Sequence, residues 1–237
     1  MDIYCLASSS SGNAFVIKNS DTNLLLEAGL EYKELVHKLN HIGIRLSQVK
    51  AVAISHEHGD HAKAAVRLSK LMPVIGSYLT LSAIRNLESR YPLNEWQKAI
   101  IGSFRLTPFY VDHDVIGACG YIIEDLPAKE KLLFITDTKL VRYDFSKTRF
   151  DYVMIECNHV YDYAIKDKFL RRKAITHMSL DATKEALSKM NLSKTKAIYL
   201  IHLSDTNSDE ERMIREVREL TGRPTYACLK DGGVTSG

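Results

Sequence analysis

One short stretch constrains this chain more than any other, an apolar run at residues 51–54 that ends in a cluster of polar side chains. The run is small and β-branched, which is typical of a buried strand. That strand cannot continue, because Glu57, Gly59 and Asp60 are poor strand formers and Gly59 suits a tight turn. The loop that follows holds three imidazoles and a carboxylate, on His56, His58, Asp60 and His61. Such a cluster predicts a metal site, against the alternative of a solvated polar turn.

The same arrangement, an apolar run followed by polar residues, occurs four more times along the chain. The polar residues at these later strand ends are His113, Asp137, the group Glu156, Asn158 and His159, and finally His202. A single histidine at a strand end is usually structural, and Asp137 has the alternative role of capping a helix. Five polar strand ends in one chain nevertheless predict that these side chains meet at one edge of the fold.

Hydrophobic periodicity predicts strands and helices interleaved along the chain. A β-meander is expected first, from strands at 3–6, 14–17 and 23–29. Further strands are predicted at 47–54, 74–77, 104–111, 119–123, 131–137, 150–155, 197–201 and 225–229. Helices are predicted at 31–39, 61–71, 78–87, 180–190 and 210–220. No repeat or linker divides the chain, so we expect a single domain over residues 1–237, with a flexible tail at 231–237.

Composition limits the class of protein. The chain has 237 residues, of which 45% are hydrophobic and 26% charged, as is usual for a globular protein. No run is long enough to span a bilayer and the first residues do not form a signal peptide, so we expect a cytoplasmic protein with no membrane partner. The four cysteines are scattered without a CxxC pair and are predicted to be reduced core residues.

Charge is only mildly informative about partners. The net charge of +3 permits a polyanionic partner without requiring one. A basic run lies at residues 166–173 and includes Lys168, Arg171, Arg172 and Lys173. Two interpretations of this run stay open, a contact with the phosphates of a nucleic acid and a solvated helix face.

The segment from His56 to His61 resembles the His-x-His-x-Asp-His signature of the metallo-β-lactamase superfamily. Four further segments resemble the WalJ/YycJ group of that superfamily: the loop at residues 8–13, and those at 156–159, 177–179 and 202–205. The resemblance covers most of the chain. It implies an α/β (α+β) fold of the αββα sandwich type, with two mixed β-sheets face to face, helices outside and the site at one edge.

The resemblance also implies a set of metal ligands. His56, His58 and His113 are expected to hold the first metal, and Asp60, His61 and His202 the second, with Asp137 as a bridge. The cofactors would be two divalent ions, and nitrogen and oxygen ligands suit zinc or manganese. A water between such ions loses its proton near neutral pH and becomes a nucleophile.

The function implied by the resemblance is hydrolysis of phosphodiester bonds in DNA or nucleotides. Asp60, His177 and His159 are expected to be catalytic, with the two histidines clamping the phosphate or protonating the leaving oxygen. The residues expected to contact substrate are Ser10, Ser11, Asn13, Asn158 and Ser204. One departure is Glu27, which stands where the superfamily usually has an aspartate.

Three alternatives remain open from the sequence. Two are small-molecule hydrolases, a cyclic-nucleotide phosphodiesterase and a glyoxalase-type thioesterase. The third is a nucleic-acid-binding module that keeps the metal fold without catalysis. The sequence does not fix the oligomeric state, a homodimer included.

Overall fold

The computed structural model describes residues 1–160, 175–233 and 235–236. The basic run at 166–173 lies outside these residues, so its two interpretations stay open. The strands of the described residues form two β-sheets of seven strands each.

The first sheet is built mainly by the amino-terminal half of the chain. Its strands are β1 (Asp2–Ser9), β2 (Gly12–Lys18), β3 (Asn23–Leu26), β4 (Val49–Ala53), β5 (Val74–Ser77), β6 (Arg90–Leu93) and, from the far end of the chain, β14 (Thr235–Ser236). Their order is β14-β1-β2-β3-β4-β5-β6. The β-meander predicted for the first three strands is present, with antiparallel pairing of β1 to β2 and of β2 to β3.

The second sheet is built by the following part of the chain. Its strands are β7 (Ala99–Ile101), β8 (Phe104–Tyr110), β9 (Cys119–Asp125), β10 (Glu130–Ile135), β11 (Tyr152–Glu156), β12 (Ala197–Ile201) and β13 (Thr225–Ala227). They are ordered β13-β12-β11-β10-β9-β8-β7. Each sheet has three antiparallel pairings followed by three parallel ones. Both sheets are therefore mixed, and they share one pattern of strand directions.

The helices of the described residues lie on the outer faces of the sheets. They are α1 (Tyr32–His41), α2 (Gly59–Ala62), α3 (Ala65–Leu68), α4 (Tyr78–Ala83), α5 (Leu180–Ser188) and α6 (Glu210–Thr221), with a 3-10 helix at Leu46–Gln48. Leu35 and Leu39 of α1 pack on the outer face of the first sheet, and Met213 and Val217 of α6 pack on that of the second. Within the described part of the chain, no helix has the length and apolar character needed to cross a membrane.

Three buried clusters hold these layers together. The central one fills the space between the sheets, where the ring of Phe15 meets that of Phe134 edge-on with 5.8 Å between centroids. Burying rings and branched side chains on both faces of each sheet stabilises the stack by about 25 cal/mol for each Å² of apolar surface removed from water. The layers run helix, sheet, sheet, helix, so the predicted αββα sandwich is confirmed.

Two predicted elements near the motif have different bounds in the structure. The strand predicted to reach residue 29 ends at Leu26, because Glu27 adopts a left-handed backbone with φ 61°. The single helix predicted at 61–71 is two short helices, α2 and α3. The carbonyl of Asp60 accepts from Asn13 Nδ2, and the Ala64 amide donates to Ala28, so this backbone cannot form a continuous helical ladder.

Other differences lie away from the motif. The helix predicted at 78–87 ends at Ala83, since Ile84 is extended and Asn86 is left-handed. Strands β6, β7 and β14 have no counterpart in the prediction. In β14, Thr235 pairs with Tyr4 of β1, at the place where we expected a flexible tail.

Candidate metal centre

The polar residues predicted at five strand ends lie at one edge of the sandwich. They follow β4 in the first sheet and β8, β10, β11 and β12 in the second. Parallel strands present their carboxyl ends at the same edge, which explains why loops far apart in the chain meet here. Four overlapping groups of these side chains have candidate ligand atoms that lie within 4.8 Å of one another.

The first group contains three imidazoles, and we call it the imidazole triad: His56, His58 and His113. Nδ1 of His58 lies 3.0 Å from Nε2 of His56 and 3.4 Å from Nε2 of His113. Burial and the charge of His61 lower the pKa of His56 well below its usual value. Burial also lowers the pKa of His113. These two rings are therefore neutral at physiological pH, which is the form that binds metal.

The second group, the mixed triad, combines a carboxylate with two imidazoles: Asp60, His61 and His202. Oδ2 of Asp60 lies 3.3 Å from Nε2 of His61 and 3.3 Å from Nε2 of His202. Burial alone would lower the pKa of each ring, but the charge of Asp137 and the surrounding carboxylates outweigh it. The pKa of His61 is raised well above its usual value, and that of His202 to about 10.

Asp137 lies between the two triads. Its Oδ2 is 3.0 Å from Nε2 of His61, and its Oδ1 is 3.4 Å from Nδ1 of His202. Candidate ligand atoms of Asp137, His56 and His61 also lie within 4.8 Å of one another. Burial raises its pKa, but the positive charges of His202 and His61 prevail and hold the pKa well below its usual value. Asp137 is thus an ionised, buried carboxylate with imidazoles of both triads close by.

Two residues lie behind the triads: Ser55, which the prediction did not include, and Glu27, which it noted as a departure from the usual aspartate. Ser55 Oγ lies 2.9 Å from Nδ1 of His56, so that Nε2 of that ring faces the site. Glu27 lies 3.5 Å from Nδ1 of His61 and also accepts the backbone amide of Ser55. Gly29 must be a glycine, because a Cβ there would overlap the carbonyl of Asp60. The signal for Glu27 was present in the sequence, since a carboxylate in an apolar run needs a partner once buried.

Glu156 is the other residue whose role the sequence prediction missed. This fully buried carboxylate ends β11 and accepts the backbone amides of Thr138 and Met178. Its Oε1 lies 2.6 Å from Nδ1 of His177 and 3.1 Å from Nδ1 of His202. Burial lowers the pKa of His177, but the charge and hydrogen bond of Glu156 outweigh it and raise that pKa. Glu156 therefore orients two imidazoles at once.

Three buried residues of the centre have left-handed backbones. Glu27, Asp137 and His202 have φ values of 61°, 46° and 55°. A non-glycine residue in this region costs of order 1–3 kcal/mol and persists only where its surroundings hold it. Each of these residues closely follows a strand, so the strain turns a polar side chain into the site at the point where the sheet ends.

The remaining predicted residues lie around the centre in different ways. Asn13 and Asn158 are both buried. The side-chain amide of Asn13 forms hydrogen bonds with the carbonyl of Asp60 and the ring of His61. The side-chain amide of Asn158 donates to the carbonyl of His202. His159 is buried and pairs by its backbone with residue 179, and burial lowers its pKa. Within the described residues, no hydrogen bond joins the ring of His159 to a predicted ligand.

The three predicted serines are placed differently from one another. Ser10 is partly exposed and Ser11 exposed, at the turn between β1 and β2. The Ser11 hydroxyl lies 2.8 Å from that of Ser9. Ser204 is buried, and its hydroxyl accepts the amides of Thr206 and Asn207. Of these three serines, the two at the turn are therefore the ones that reach solvent.

The donor set fits divalent metal ions. Three imidazoles bring ring nitrogens within 3.0 and 3.4 Å of one another, a convergence of nitrogen donors that suits a divalent cation. Nδ1 of His113 is buried without a hydrogen-bond partner among the described residues, so no carboxylate fixes this ring from behind. Next to it, the mixed triad offers nitrogen and oxygen donors together with ionised carboxylates. The fold family implies divalent metal binding, and these His/Asp clusters are where such binding would occur.

Comparison with known proteins identifies relatives of this chain. A family model described as "Beta-lactamase superfamily domain" matches residues 22–203. The exodeoxyribonuclease WalJ of Streptococcus pneumoniae serotype 2 (strain D39 / NCTC 7466) is 29% identical over 226 residues, covering 87% of this chain and 82% of WalJ. The exodeoxyribonuclease YycJ of Bacillus anthracis is 27% identical over 226 residues, covering 87% of this chain and 83% of YycJ.

A solved structure supports the same assignment at the level of the fold. The metallo-beta-lactamase fold protein YhfI of Bacillus subtilis superposes with a TM-score of 0.78 at 15% identity, covering 99% of this chain and 98% of YhfI. The resemblance stated from the sequence is thereby confirmed, and metal-dependent hydrolysis is the activity that these relatives support. With most of its length matched by the family model, the chain belongs to the beta-lactamase superfamily.

Proposed function

We propose that this chain is a dinuclear metal-dependent phosphodiesterase that acts as a nuclease on DNA. The observation that carries the proposal is the pair of ligand triads on either side of one buried carboxylate, Asp137. Two adjacent metal sites that share a carboxylate are typical of enzymes that hydrolyse phosphate esters. The names of the two relatives, both exodeoxyribonucleases, support DNA as the substrate class.

The imidazole triad would hold one ion and the mixed triad the other, with Asp137 contacting both. Zinc and manganese are the ions that this set of nitrogen and oxygen donors suits. When bound, such ions supply Lewis-acid polarisation of the phosphate and a nucleophilic water at neutral pH. The chain itself holds each donor in place, through Ser55 behind His56 and Glu27 behind His61.

His177 is the residue proposed to protonate the leaving oxygen. Its Nδ1 is engaged by Glu156, so Nε2 is the atom left for the substrate. The ring lies 5.5 Å from that of His113 and 5.1 Å from that of His202, which places it over both triads. A general acid held against a carboxylate in this way contributes about 10²–10⁴-fold to a rate. Glu156 is proposed as the positioning residue for this imidazole.

The two buried asparagines are better suited to positioning than to direct contact with substrate. Asn13 joins the first turn of the chain to His61, and Asn158 holds the backbone of His202. The turn at Ser10 and Ser11, by contrast, is the part of this edge proposed to contact phosphate. His159 stays a second candidate for the phosphate contact.

The test is hydrolysis of bis(p-nitrophenyl) phosphate by purified protein, with and without a chelator. We expect turnover that the chelator abolishes and that zinc or manganese restores. DNA, RNA, cyclic nucleotides and a glutathione thioester are then assayed side by side, with DNA expected to give the highest kcat/KM. Preferential thioester hydrolysis, or no diester hydrolysis under any metal, would contradict the proposal.

A further inference from the structure

Four exposed large apolar residues lie on two segments next to the candidate metal centre. Tyr78 is 66% exposed, Tyr110 40% and Ile116 82%, and Leu79 is also exposed. We call these four residues the apolar ledge. Single exposed apolar residues are ordinary on a protein surface, but a group beside a catalytic edge marks an interaction site.

The loop between β8 and β9 connects the ledge to the metal centre. This loop carries both His113 and Ile116, and its ends are closed by a hydrogen bond from the Val111 amide to the Ala118 carbonyl. Tyr110 is the last residue of β8 and stands directly before the loop. A ligand atom and two ledge residues thus share one short segment of chain.

The other half of the ledge packs directly against the same loop. Thr80 Oγ1 donates to the carbonyl of Gly117. Gly117 lies so close to the start of α4 that an added Cβ would be 2.7 Å from Cβ of Leu79. Because α4 begins at Tyr78 and β8 ends at Tyr110, both tyrosines stand on segments that border this loop.

The open side of the centre faces this loop. Within the imidazole triad, the His58 side chain is 39% exposed, whereas the side chain of His113 is buried. Asp114 is exposed, and its Oδ1 lies 3.1 Å from Nε2 of His113 and 3.8 Å from Nε2 of His58. A phosphodiester entering the imidazole triad from solvent would therefore pass along the loop that the ledge borders.

A positive charge accompanies the apolar surface. Lys139 is exposed, and its amide donates to the carbonyl of Asp112, next to His113. Among the described residues, no acidic group pairs with its ammonium. Exposed rings beside an unpaired cation are the combination that binds single-stranded nucleic acid, where bases stack on rings and phosphates meet lysine.

We propose that the apolar ledge stacks the unpaired bases of a single-stranded DNA end whose scissile phosphate lies at the metal centre. The inference rests on the proposed nuclease function and names the form of its substrate. A base within a duplex is already stacked on its neighbours, so Tyr78 and Tyr110 gain most from a strand whose bases are free. Lys139 would contact the backbone between ledge and centre.

The experiment compares Tyr78→Ala, Tyr110→Ala and the double variant with the wild-type enzyme loaded with metal. For a single-stranded oligonucleotide we expect KM to rise by about 5- to 150-fold per ring, from the cost of losing one stacked base. The kcat/KM for bis(p-nitrophenyl) phosphate should stay unchanged, because this substrate is too small to reach the ledge. For a blunt duplex the rise in KM should be smaller.

Two conservative variants and one matched control make the result specific. Tyr78→Phe keeps the ring and should bind as the wild type does, whereas Tyr78→Leu keeps apolar volume and should not. Tyr226 is 45% exposed on β13, at the opposite edge of the second sheet from β7, so Tyr226→Ala removes an equally exposed ring away from the ledge. Thermal unfolding confirms that each variant folds.

Binding separates failure of this inference from failure of the proposed function. Fluorescence anisotropy with a phosphorothioate oligonucleotide on the metal-loaded protein needs no turnover, and its Kd should rise with the alanine variants. If the wild type hydrolyses no diester but the alanine variants still raise Kd, the proposed function fails and the ledge is supported as a DNA-binding surface. If the alanine variants match Tyr226→Ala, or instead change the oligomeric state by sedimentation with Kd unaltered, the ledge does not bind DNA.

Discussion

The two ligand triads differ in charge although they lie side by side. The imidazole triad contains no carboxylate, and burial lowers the pKa of His56 and of His113. In the mixed triad, burial is outweighed by carboxylates, and the pKa values of His61 and His202 are raised. The imidazole triad thus has two rings whose pKa values favour the neutral form, whereas the mixed triad pairs imidazolium with carboxylate.

This difference has consequences for metal loading. A metal ligand must be deprotonated, so binding at the mixed triad displaces protons from His61 and His202. At the imidazole triad, the lowered pKa values keep His56 and His113 neutral, so these two rings release no ionising proton when metal binds. We therefore expect the imidazole triad to load at lower pH than the mixed triad, and the protein to have a state with one metal bound.

The largest effect should come from removing a ligand of the imidazole triad. His58→Ala deletes the Nδ1 that meets both other rings, at 3.0 and 3.4 Å. We expect loss of at least one metal by elemental analysis and of nearly all turnover on bis(p-nitrophenyl) phosphate. His37→Ala, an exposed histidine on α1, is the matched control and should retain both. Full metal content with undiminished turnover in His58→Ala would exclude this ligand assignment.

The next largest effect should come from His177, whose ring contacts one histidine of each triad and belongs to neither. His177→Ala should keep both metals and lower turnover on a nucleotide substrate by about 10²–10⁴-fold, because the leaving alkoxide loses its proton donor. With a nitrophenyl leaving group, which departs without a proton, the loss should be smaller. Glu156→Gln should lower turnover to a similar extent, because this substitution removes the carboxylate that lies 2.6 Å from Nδ1 of His177. Equal losses on both leaving groups would indicate phosphate clamping instead.

Smaller effects on metal affinity are expected from substituting the residues behind the triads, Ser55 for the imidazole triad and Glu27 for the mixed triad. Glu27→Gln removes the negative charge behind His61, and Ser55→Ala removes the hydroxyl at 2.9 Å behind His56. Loss of such a partner typically lowers metal affinity by about 10–100-fold. We expect Glu27→Gln to weaken the second metal bound in a calorimetric titration and Ser55→Ala the first. Identical effects of the two substitutions would mean that the triads do not load separately.

The smallest effect is the pH dependence of stability in the metal-free protein. The pKa of His202 is raised from 6.5 to about 10 in the folded state. A raised pKa stabilises the fold fully below the unfolded value and loses that contribution as pH rises through the folded value. Chelator-treated protein should therefore show a falling Tm between pH 7 and 10. His202→Gln should remove much of this slope, and an unchanged slope would show that His202 does not carry it.

Short-range patterns in the sequence predict many of the strands and the polar strand ends, whereas the sandwich fold and the proposed ligand set were expected from the resemblance to the superfamily. Apolar runs identify the central strands, and a strand end fixes where a loop begins. His56 to His61 lie in one motif, so their proximity requires no knowledge of tertiary structure. Edge strands such as β6 and β7 are harder to predict from the sequence. They are short and only partly buried, so their residues show little hydrophobic periodicity.

The contacts behind the ligands could not be predicted in this way. Glu156 meets His177 across 21 positions of chain, and Glu27 meets the amide of Ser55 across 28. These pairs form only because the folded chain brings separate segments to one edge of the sandwich. The same applies to the break between α2 and α3, which depends on Asn13 and Ala28 capturing backbone groups of the motif.

The most direct test of the account is the number and position of bound metals. Anomalous diffraction at the zinc or manganese edge, together with elemental analysis of the same preparation, should give two ions per chain. One should lie among His56, His58 and His113, the other among Asp60, His61 and His202, with Asp137 in contact with both. A fully active protein with a single ion, or with ions outside these triads, would contradict the account.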